Sequence, residues 1–132
     1  MSTTNFSKVA IINRGESAMR FIRAADSWSL LHDAPLETVA FYTDPDTNAP
    51  YVKNANEAVH LGPAMSPGPN GVLRSSYLDI PCLIQAIQNA EATAVWPGWG
   101  FLAESPEFAE ACQQAGLVFL GPSPESMRLL GD

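Results

Sequence analysis

The residues best suited to chemistry lie in one segment that follows the short apolar run 94–96. It is made of Pro97-Gly98-Trp99-Gly100-Phe101-Leu102-Ala103-Glu104, and Ser105 and Pro106 then have the types favoured at a helix N-cap and first position. A strand that ends in a glycine turn and leads into a helix is where open α/β sheets bind ligands. The alternative is a tight turn in which Trp99 packs as a hydrophobic plug, and the residue pattern alone leaves both interpretations open.

Dinucleotide chemistry is disfavoured at both candidate turns. The run 98–103 matches G-x-G-x-x-A, but it follows the fourth predicted strand and lies several residues before the helix start, so it cannot place a pyrophosphate on that helix N-terminus. The first strand-to-helix turn, 12–16, contains only Gly15, whereas a pyrophosphate needs several glycines there. Asp44, after the second strand, is either a ribose ligand or, together with Asp46, a turn residue.

Three charged residues follow helical spacing on the polar face of the first predicted helix. Glu16, Arg20 and Arg23 stand at i, i+4 and i+7, and Glu16 before Arg20 is the favourable order for an intrahelical ion pair. This face is either solvated or a contact surface for another subunit or domain. His32 and His60 have no partner at metal-ligand spacing, so the sequence predicts no metal site and no complete active site.

The elements that must position these residues alternate between strand and helix. Apolar runs and helical periodicity predict strands at 8–12, 36–42, 57–61, 94–96 and 117–120, and helices at 15–31, 79–91, 105–115 and from Ser123 onward. Residues 1–7 are expected to be a flexible tail, 43–50 a loop and 62–76 an irregular segment. This alternation predicts an α/β fold: a Rossmann-like open parallel sheet of about five strands with helices on both faces.

Composition limits the function classes. The chain has 132 residues and a net charge of -7, which fits one globular domain and argues against binding to nucleic acid or an anionic membrane surface. No apolar run approaches the ~18 residues of a membrane span, and the polar N-terminus has no signal-peptide core. Both cysteines, Cys82 and Cys112, follow helical apolar patterns and are expected to be reduced core thiols in a cytoplasmic protein.

Five ordered motifs resemble the N-terminal domain of biotin carboxylase, which is found in acetyl-CoA, propionyl-CoA and pyruvate carboxylases. The resemblance covers residues 8–132. Its motifs are Lys8-Val9-Ala10-Ile11-Ile12-Asn13-Arg14-Gly15-Glu16, Glu57-Ala58-Val59-His60-Leu61-Gly62-Pro63, Ser76-Tyr77-Leu78-Asp79-Ile80, the segment 96–106, and 121–125 through 131–132. The domain of that family has a Rossmann-like pre-ATP-grasp fold, which agrees with the fold expected from the pattern of elements.

The resemblance implies a role in a longer enzyme. The family uses ATP and bicarbonate to carboxylate biotin on a carrier domain, so the parent enzyme would require biotin, ATP and Mg, while this chain would hold no catalytic residue or cofactor of its own. The family has an ATP-contacting lysine directly after the Gly-Asp pair that matches 131–132, which implies a domain boundary there. Partners would be the ATP-grasp and C-terminal biotin carboxylase domains, the carrier domain and the carboxyltransferase, and the chain alone is expected to be inactive.

Residue-level matches to the family suggest further roles. Gly98, Trp99, Gly100, Phe101 and Glu104 would face the substrate cleft. The Gly-Trp-Gly form, the longer 28–35 segment and Gly68-Pro69-Asn70 resemble eukaryotic-type, multidomain acetyl-CoA carboxylases, whereas Asn13-Arg14-Gly15-Glu16 and Phe101-Leu102 are bacterial in style. Together they imply a large single-chain acyl-CoA carboxylase.

The family also bears on assembly. Arg20 and Arg23 match arginines at the bacterial dimer interface, but Ser27 replaces the usual acidic residue, so the isolated domain is expected to be a monomer. The alternatives are the equivalent domain of another ATP-grasp ligase, such as carbamoyl-phosphate synthetase, and a non-catalytic interaction domain.

Overall fold

The computed structural model describes residues 7–33, 35–98 and 101–121. Its elements in chain order are β1 (Lys8–Ile11), α1 (Gly15–His32), β2 (Glu37–Tyr42), α2 (Pro50–Asn54), β3 (Glu57–His60), β4 (Met65–Pro67), β5 (Leu73–Ser75), α3 (Ile80–Asn89), β6 (Ala94–Trp96), α4 (Pro106–Gln114) and β7 (Val118–Phe119). Short 3₁₀ helices lie at Asp44–Asp46, Ser76–Leu78 and Phe101–Glu104. The helix predicted from Ser123 and all but the last residue of the predicted 1–7 tail lie outside the described residues.

A five-stranded parallel sheet in the order β3-β2-β1-β6-β7 organises the fold. Ala10 at the centre of β1 pairs with Val39 on one side and with Val95 on the other. The chain first adds β2 and β3 on one side of β1 and then returns to add β6 and β7 on the opposite side. The point between β1 and β6 is therefore the topological switch point, where parallel sheets open a crevice at their carboxyl ends. The predicted fold class is confirmed.

Helices cover both faces of the sheet because the strands expose apolar side chains alternately to each face. Ile11 and Ala40 pack against α1, whose buried residues Ala18, Ile22 and Ala25 recur at the spacing of one helix face. The opposite face carries the larger core, which is formed by Ala10, Ile12, Val39, Phe41, Tyr77, Leu83, Ile87, Ala92, Val95, Leu102, Phe108, Cys112 and Leu117.

Helix ends follow the sequence signals closely. The Ser105 hydroxyl accepts a hydrogen bond from the backbone N–H of Phe108 at 3.2 Å, and Pro106 occupies the first turn of α4, as predicted. Gly116 has φ +79°, and the N–H groups of Gly116 and Leu117 bond to the carbonyls of Gln113 and Cys112. This is a Schellman C-cap, which confirms that Gly116 ends the helix.

Two segments differ from the sequence expectation. The predicted 43–50 loop contains a 3₁₀ helix and leads into α2, which begins at Pro50. The predicted irregular segment 62–76 contains an antiparallel hairpin of β4 and β5, closed by a turn in which the Asn70 side chain accepts from the Val72 N–H and Gly71 has φ +82°. Both segments hold only short elements, and 62–76 is also rich in proline and glycine, so no apolar period marks them.

The expectation that both cysteines are core residues is wrong for Cys82. Both thiols are free, but Cys82 is exposed on α3 and only Cys112 is buried, where burial raises the pKa of its thiol to about 12. The backbone N–H of Cys82 bonds to the Asp79 carboxylate that caps α3. Its place in the first turn of α3 therefore leaves the side chain outside the apolar stripe.

Candidate functional site

Three strand-to-helix turns meet at the carboxyl edge of the sheet. Asn13 and Arg14 follow β1, Asp46 follows β2, and Pro97 and Gly98 follow β6. Because β2, β1 and β6 are neighbours in the sheet, turns that are far apart in sequence become adjacent here. We call Pro97 and Gly98 the β6 exit turn.

Asn13 joins the β1 turn to the β6 exit turn. The residue is 5% exposed, and its Nδ2 donates to the Pro97 carbonyl at 2.8 Å. Its Oδ1 accepts from the Arg14 backbone N–H at 2.7 Å. These partners fix the orientation of the amide, since a carbonyl requires the NH₂ group and an N–H requires the oxygen. A backbone bond from Ile12 N–H to the Trp96 carbonyl, 3.0 Å long, continues the connection along the strands.

Gly98 is required where the β6 exit turn passes Asn13. Its φ of +67° lies in the left-handed region that favours glycine. A Cβ at this position would lie 2.6 Å from the Asn13 Nδ2 and 2.8 Å from the Trp96 Cη2. Any side chain here therefore displaces the amide of Asn13 or the ring of Trp96.

Arg14 and Asp46 form a two-pronged ion pair between the β1 and β2 turns. The Arg14 Nη2 lies 2.7 Å from the Asp46 Oδ1, and Nε bonds to Oδ2. The hydroxyl of Tyr51 on α2 donates to the same Oδ2 at 2.8 Å. These donors lower the pKa of the Asp46 carboxyl, Arg14 most strongly, while burial is the main reason that the Tyr51 pKa is raised.

A cleft of about 520 Å³ lies beside this ion pair. Its lining comes from the β1 turn, the first turns of α1 and the start of α2: Asn13, Arg14, Gly15, Glu16, Met19, Arg23, Asp46, Ala49, Pro50 and Tyr51. The cleft therefore combines a paired guanidinium, a buried phenol and an apolar wall. The charged and hydroxyl groups that line the cleft bind one another through ion pairs and hydrogen bonds, so their side chains have fixed positions.

The residues predicted to face a substrate cleft are placed only in part. Gly98 lies at the switch point, whereas Trp99 and Gly100 lie outside the described residues. Phe101 begins a 3₁₀ helix, but its side chain is outside the described part of the chain. Glu104 ends that helix and is exposed. Buried Leu102 and Ala103 anchor this helix in the core beside α4.

Arg20 and Arg23 lie on the exposed face of α1, as the spacing predicts. The closer partner of Glu16 is Arg23, at 3.0 Å between the Oε1 and Nη1 atoms, while the Arg20 Nε is 4.0 Å away. The predicted Glu16–Arg20 pair is thus the weaker of the two contacts. Arg23 also borders the cleft beside Arg14, which the sequence spacing did not indicate.

The remaining polar candidates form local pairs. The His60 Nε2 lies 2.5 Å from the Asp44 Oδ1, and the His60 ring lies near Tyr42. Asp44 thus pairs with a side chain at the end of β3 and belongs to a 3₁₀ turn, as the turn interpretation predicts. His32 stacks on Trp28. Within residues 7–33, 35–98 and 101–121, no group of three or more His, Cys, Asp or Glu side chains is arranged to hold a metal ion.

Sequence reasoning missed the polar network of Asn13, Arg14, Asp46 and Tyr51. The available signal was positional: Asn13 and Arg14 follow β1, and Asp46 follows β2. The carboxyl ends of parallel neighbours share an edge, so such residues are candidates for contact. Tyr51 had no such signal, because α2 was not predicted.

Comparison with known proteins identifies the family. Residues 5–127 match the family described as biotin carboxylase, N-terminal domain. The chain is 44% identical over 131 residues to the biotin-dependent acyl-coenzyme A carboxylase alpha3 subunit of Mycobacterium leprae, covering 99% of this chain and 20% of that subunit. It is 40% identical to human mitochondrial pyruvate carboxylase over 125 residues, covering 95% of this chain and 10% of that protein. The chain therefore belongs to the family of biotin carboxylase N-terminal domains.

Solved structures agree with this assignment. The chain superimposes on pyruvate carboxylase from Rhizobium etli with a TM-score of 0.79 and 36% identity, covering 96% of this chain and 11% of that one. The biotin carboxylase domain of a single-chain bacterial carboxylase gives a TM-score of 0.78 and 41% identity, with 95% of this chain and 26% of that one covered. The chain thus spans between about a tenth and a quarter of the length of these relatives. None of the helices in the described ranges has the length and apolarity needed to cross a membrane.

Proposed function

We propose that this chain is the domain on which a biotin-dependent acyl-CoA carboxylase assembles part of its biotin carboxylase site. The parent enzyme would use ATP, bicarbonate and Mg to carboxylate carrier-bound biotin. The chain alone would not turn over these substrates, because the phosphate-binding and catalytic residues of the family belong to other domains. The parent would be a multidomain cytoplasmic carboxylase with carrier and carboxyltransferase partners.

One observation carries the proposal: in a chain of the biotin carboxylase N-terminal domain family, the β6 exit turn lies at the switch point of the parallel sheet. Parallel sheets bind ligands at this place. The names of the relatives, biotin carboxylase among them, support this reaction over that of carbamoyl-phosphate synthetase and over a purely structural role. In this proposal residues 98–104 face the cleft of the assembled enzyme, and Trp99 supplies a flat apolar wall near the biotin ring or the ATP-grasp lid.

Mg is assigned to no residue of this chain. The described residues offer no cluster of ligands for it, and the Asp46 carboxylate is already held by Arg14 and Tyr51. Because the ATP-binding and catalytic residues of the family belong to other domains, we propose that ATP and Mg bind there. The contribution of this chain is a rigid edge against which the bound biotin is oriented.

A chimaeric enzyme tests the proposal. This chain replaces the matching segment of the Mycobacterium leprae subunit, and ATP hydrolysis that depends on both biotin and bicarbonate is measured. We expect kcat/KM within about tenfold of the natural subunit, a difference of ~1.4 kcal/mol. The same subunit without its N-terminal segment serves as the inactive control.

Two results would contradict the proposal. One is a chimaera that folds and elutes like the natural subunit but hydrolyses ATP no faster than the truncated control. The other is biotin- and bicarbonate-dependent turnover by the isolated chain, which would mean that the catalytic groups lie within it.

A further inference from the structure

We infer that Asn13 is a positioning residue for biotin, which acts by holding the β6 exit turn at the switch point. The inference rests on the proposed function, since it states how this chain contributes to that site. Asn13 does not touch the substrate in this proposal. It fixes the backbone of Pro97 and Gly98, from which the cleft-facing residues continue.

The contact between Asn13 and the β6 exit turn sets the distance between the β1 turn and the exit turn. The amide of Asn13 is buried and spans two turns, from the Pro97 carbonyl to the Arg14 N–H. Gly98 passes so close that even a methyl group would collide with the Asn13 Nδ2. The amide therefore limits the exit turn sterically and also bonds to it, so the turn cannot move without losing the hydrogen bond.

The other end of the amide is equally constrained. The Oδ1 of Asn13 holds the backbone of Arg14, whose side chain is bound by Asp46 in the β2 turn. Asn13 and Arg14 thus connect the β6 exit turn to the β1 and β2 turns at the same edge of the sheet. A displaced exit turn would weaken the contact with biotin equally in the ground state and in the transition state, so it would raise the KM for biotin and leave kcat nearly unchanged.

The substitution Asn13→Asp removes one of the two hydrogen bonds of this side chain and keeps the other, and it hardly changes the size of the side chain. The carboxylate keeps an oxygen to accept the Arg14 N–H, but it has no N–H for the Pro97 carbonyl. Two oxygens then face each other, and the exit turn is pushed away. The variant thus removes the link to the turn and keeps the link to the β1 backbone.

The experiment measures kinetics of the chimaeric enzyme. We expect Asn13→Asp to raise the KM for biotin about tenfold, with kcat and the KM for ATP within about twofold, which is the pattern of binding lost equally in the ground state and the transition state. Gly98→Ala acts on the same contact from the opposite side and is expected to change the same constant. Ile87→Val, in the core on α3, is the control for lowered stability. When its melting temperature equals that of Asn13→Asp, we expect its KM for biotin to equal that of the wild type.

Each outcome decides the inference. It is overturned if both variants behave like Ile87→Val, if ATP and biotin constants change together, or if neither variant folds, because Asn13 then serves only the fold. A change in the KM for biotin with one variant alone also overturns it, since both act on one contact. These failures differ from that of the proposed function, which requires that the wild-type chimaera itself be inactive.

Discussion

At the scale of single residues, Asp46 is the acceptor that Arg14 and Tyr51 share. Its carboxylate is 12% exposed and receives both nitrogens of the Arg14 fork and the hydroxyl of Tyr51. Arg14 is 44% exposed, so solvent screens the attraction between the charges and reduces its net contribution. The buried hydroxyl of Tyr51 has no such access to water. A weaker acceptor at Asp46 therefore acts mainly through the bond from Tyr51, whose hydroxyl also interacts with Tyr77.

We predict that Asp46→Asn lowers the free energy of unfolding by about 1.5 kcal/mol at pH 7, since it weakens hydrogen bonds to a charged group. Urea titrations of both proteins measure the difference. Asp44→Asn is the control, because its partner His60 is half exposed, and a change within about 0.5 kcal/mol is expected there.

The pH dependence of this difference follows from the lowered pKa of Asp46. A carboxyl whose folded pKa lies below its ordinary value of 3.8 stabilises the fold above that pH, and this stabilisation is lost as the pH falls through the folded pKa. The gap between wild type and Asp46→Asn should therefore narrow below about pH 4. A gap that stays constant down to pH 2 would mean that the Asp46 charge contributes nothing.

At the scale of elements, α3 and α4 end with the same backbone geometry but different residues. Gly116 follows α4 with φ +79°, and Glu91 follows α3 with φ +63°. In both cases the N–H of this residue and the N–H of the next residue donate to carbonyls in the last turn of the helix. At the end of α3, Glu91 donates to Gln88 and Ala92 donates to Ile87. Glutamate has a Cβ, so the left-handed conformation costs more there than at glycine.

We predict that Glu91→Gly stabilises the chain by about 1 kcal/mol and that Gly116→Ala destabilises it by about as much. A Cβ at Gly116 would meet no atom within 4 Å, so the cost there arises from the backbone alone. Thermal or urea unfolding measures both. Glu91→Ala is the matched control and should change little, and an equal gain from Ala and Gly would show that the Glu91 side chain, not its backbone, is unfavourable.

Elements also show where pattern reasoning succeeds and where it fails. Apolar periodicity predicted α1 within one residue at its C-terminal end, and cap residues predicted the ends of α4, because these signals are local. The hairpin of β4 and β5 and the short α2 escaped prediction. Each of their strands or turns is too short for a period to accumulate, and tertiary contacts decide their conformation.

At the scale of the whole molecule, the exposed face of α1 bears on assembly. Glu16 shares its carboxylate between Arg20 and Arg23, so the three side chains carry one net positive charge. Packing two copies through this face would bring like charges together, and one helix face buries less area than a stable dimer needs. The ion pairs on this surface are exposed and contribute little to the free energy of unfolding.

We predict that the isolated 14.2 kDa chain is a monomer at micromolar concentration. Light scattering after size exclusion gives its mass. Arg20→Glu should leave that mass unchanged, as should Lys53→Glu, the control on the exposed side of α2. A stable dimer that dissociates with Arg20→Glu but not with Lys53→Glu would overturn the prediction.

The sequence by itself determined the strands of the parallel sheet, its longer helices and the family, but not α2 or the hairpin of β4 and β5. These follow from local apolar patterns, cap residues and short motifs, each written within a few neighbouring residues. Tertiary structure alone decided which residues meet at the functional edge. The Asn13–Pro97 bond joins residues 84 apart and the Arg14–Asp46 pair joins residues 32 apart. Such contacts depend on the order in which strands pair, and no local pattern encodes that order.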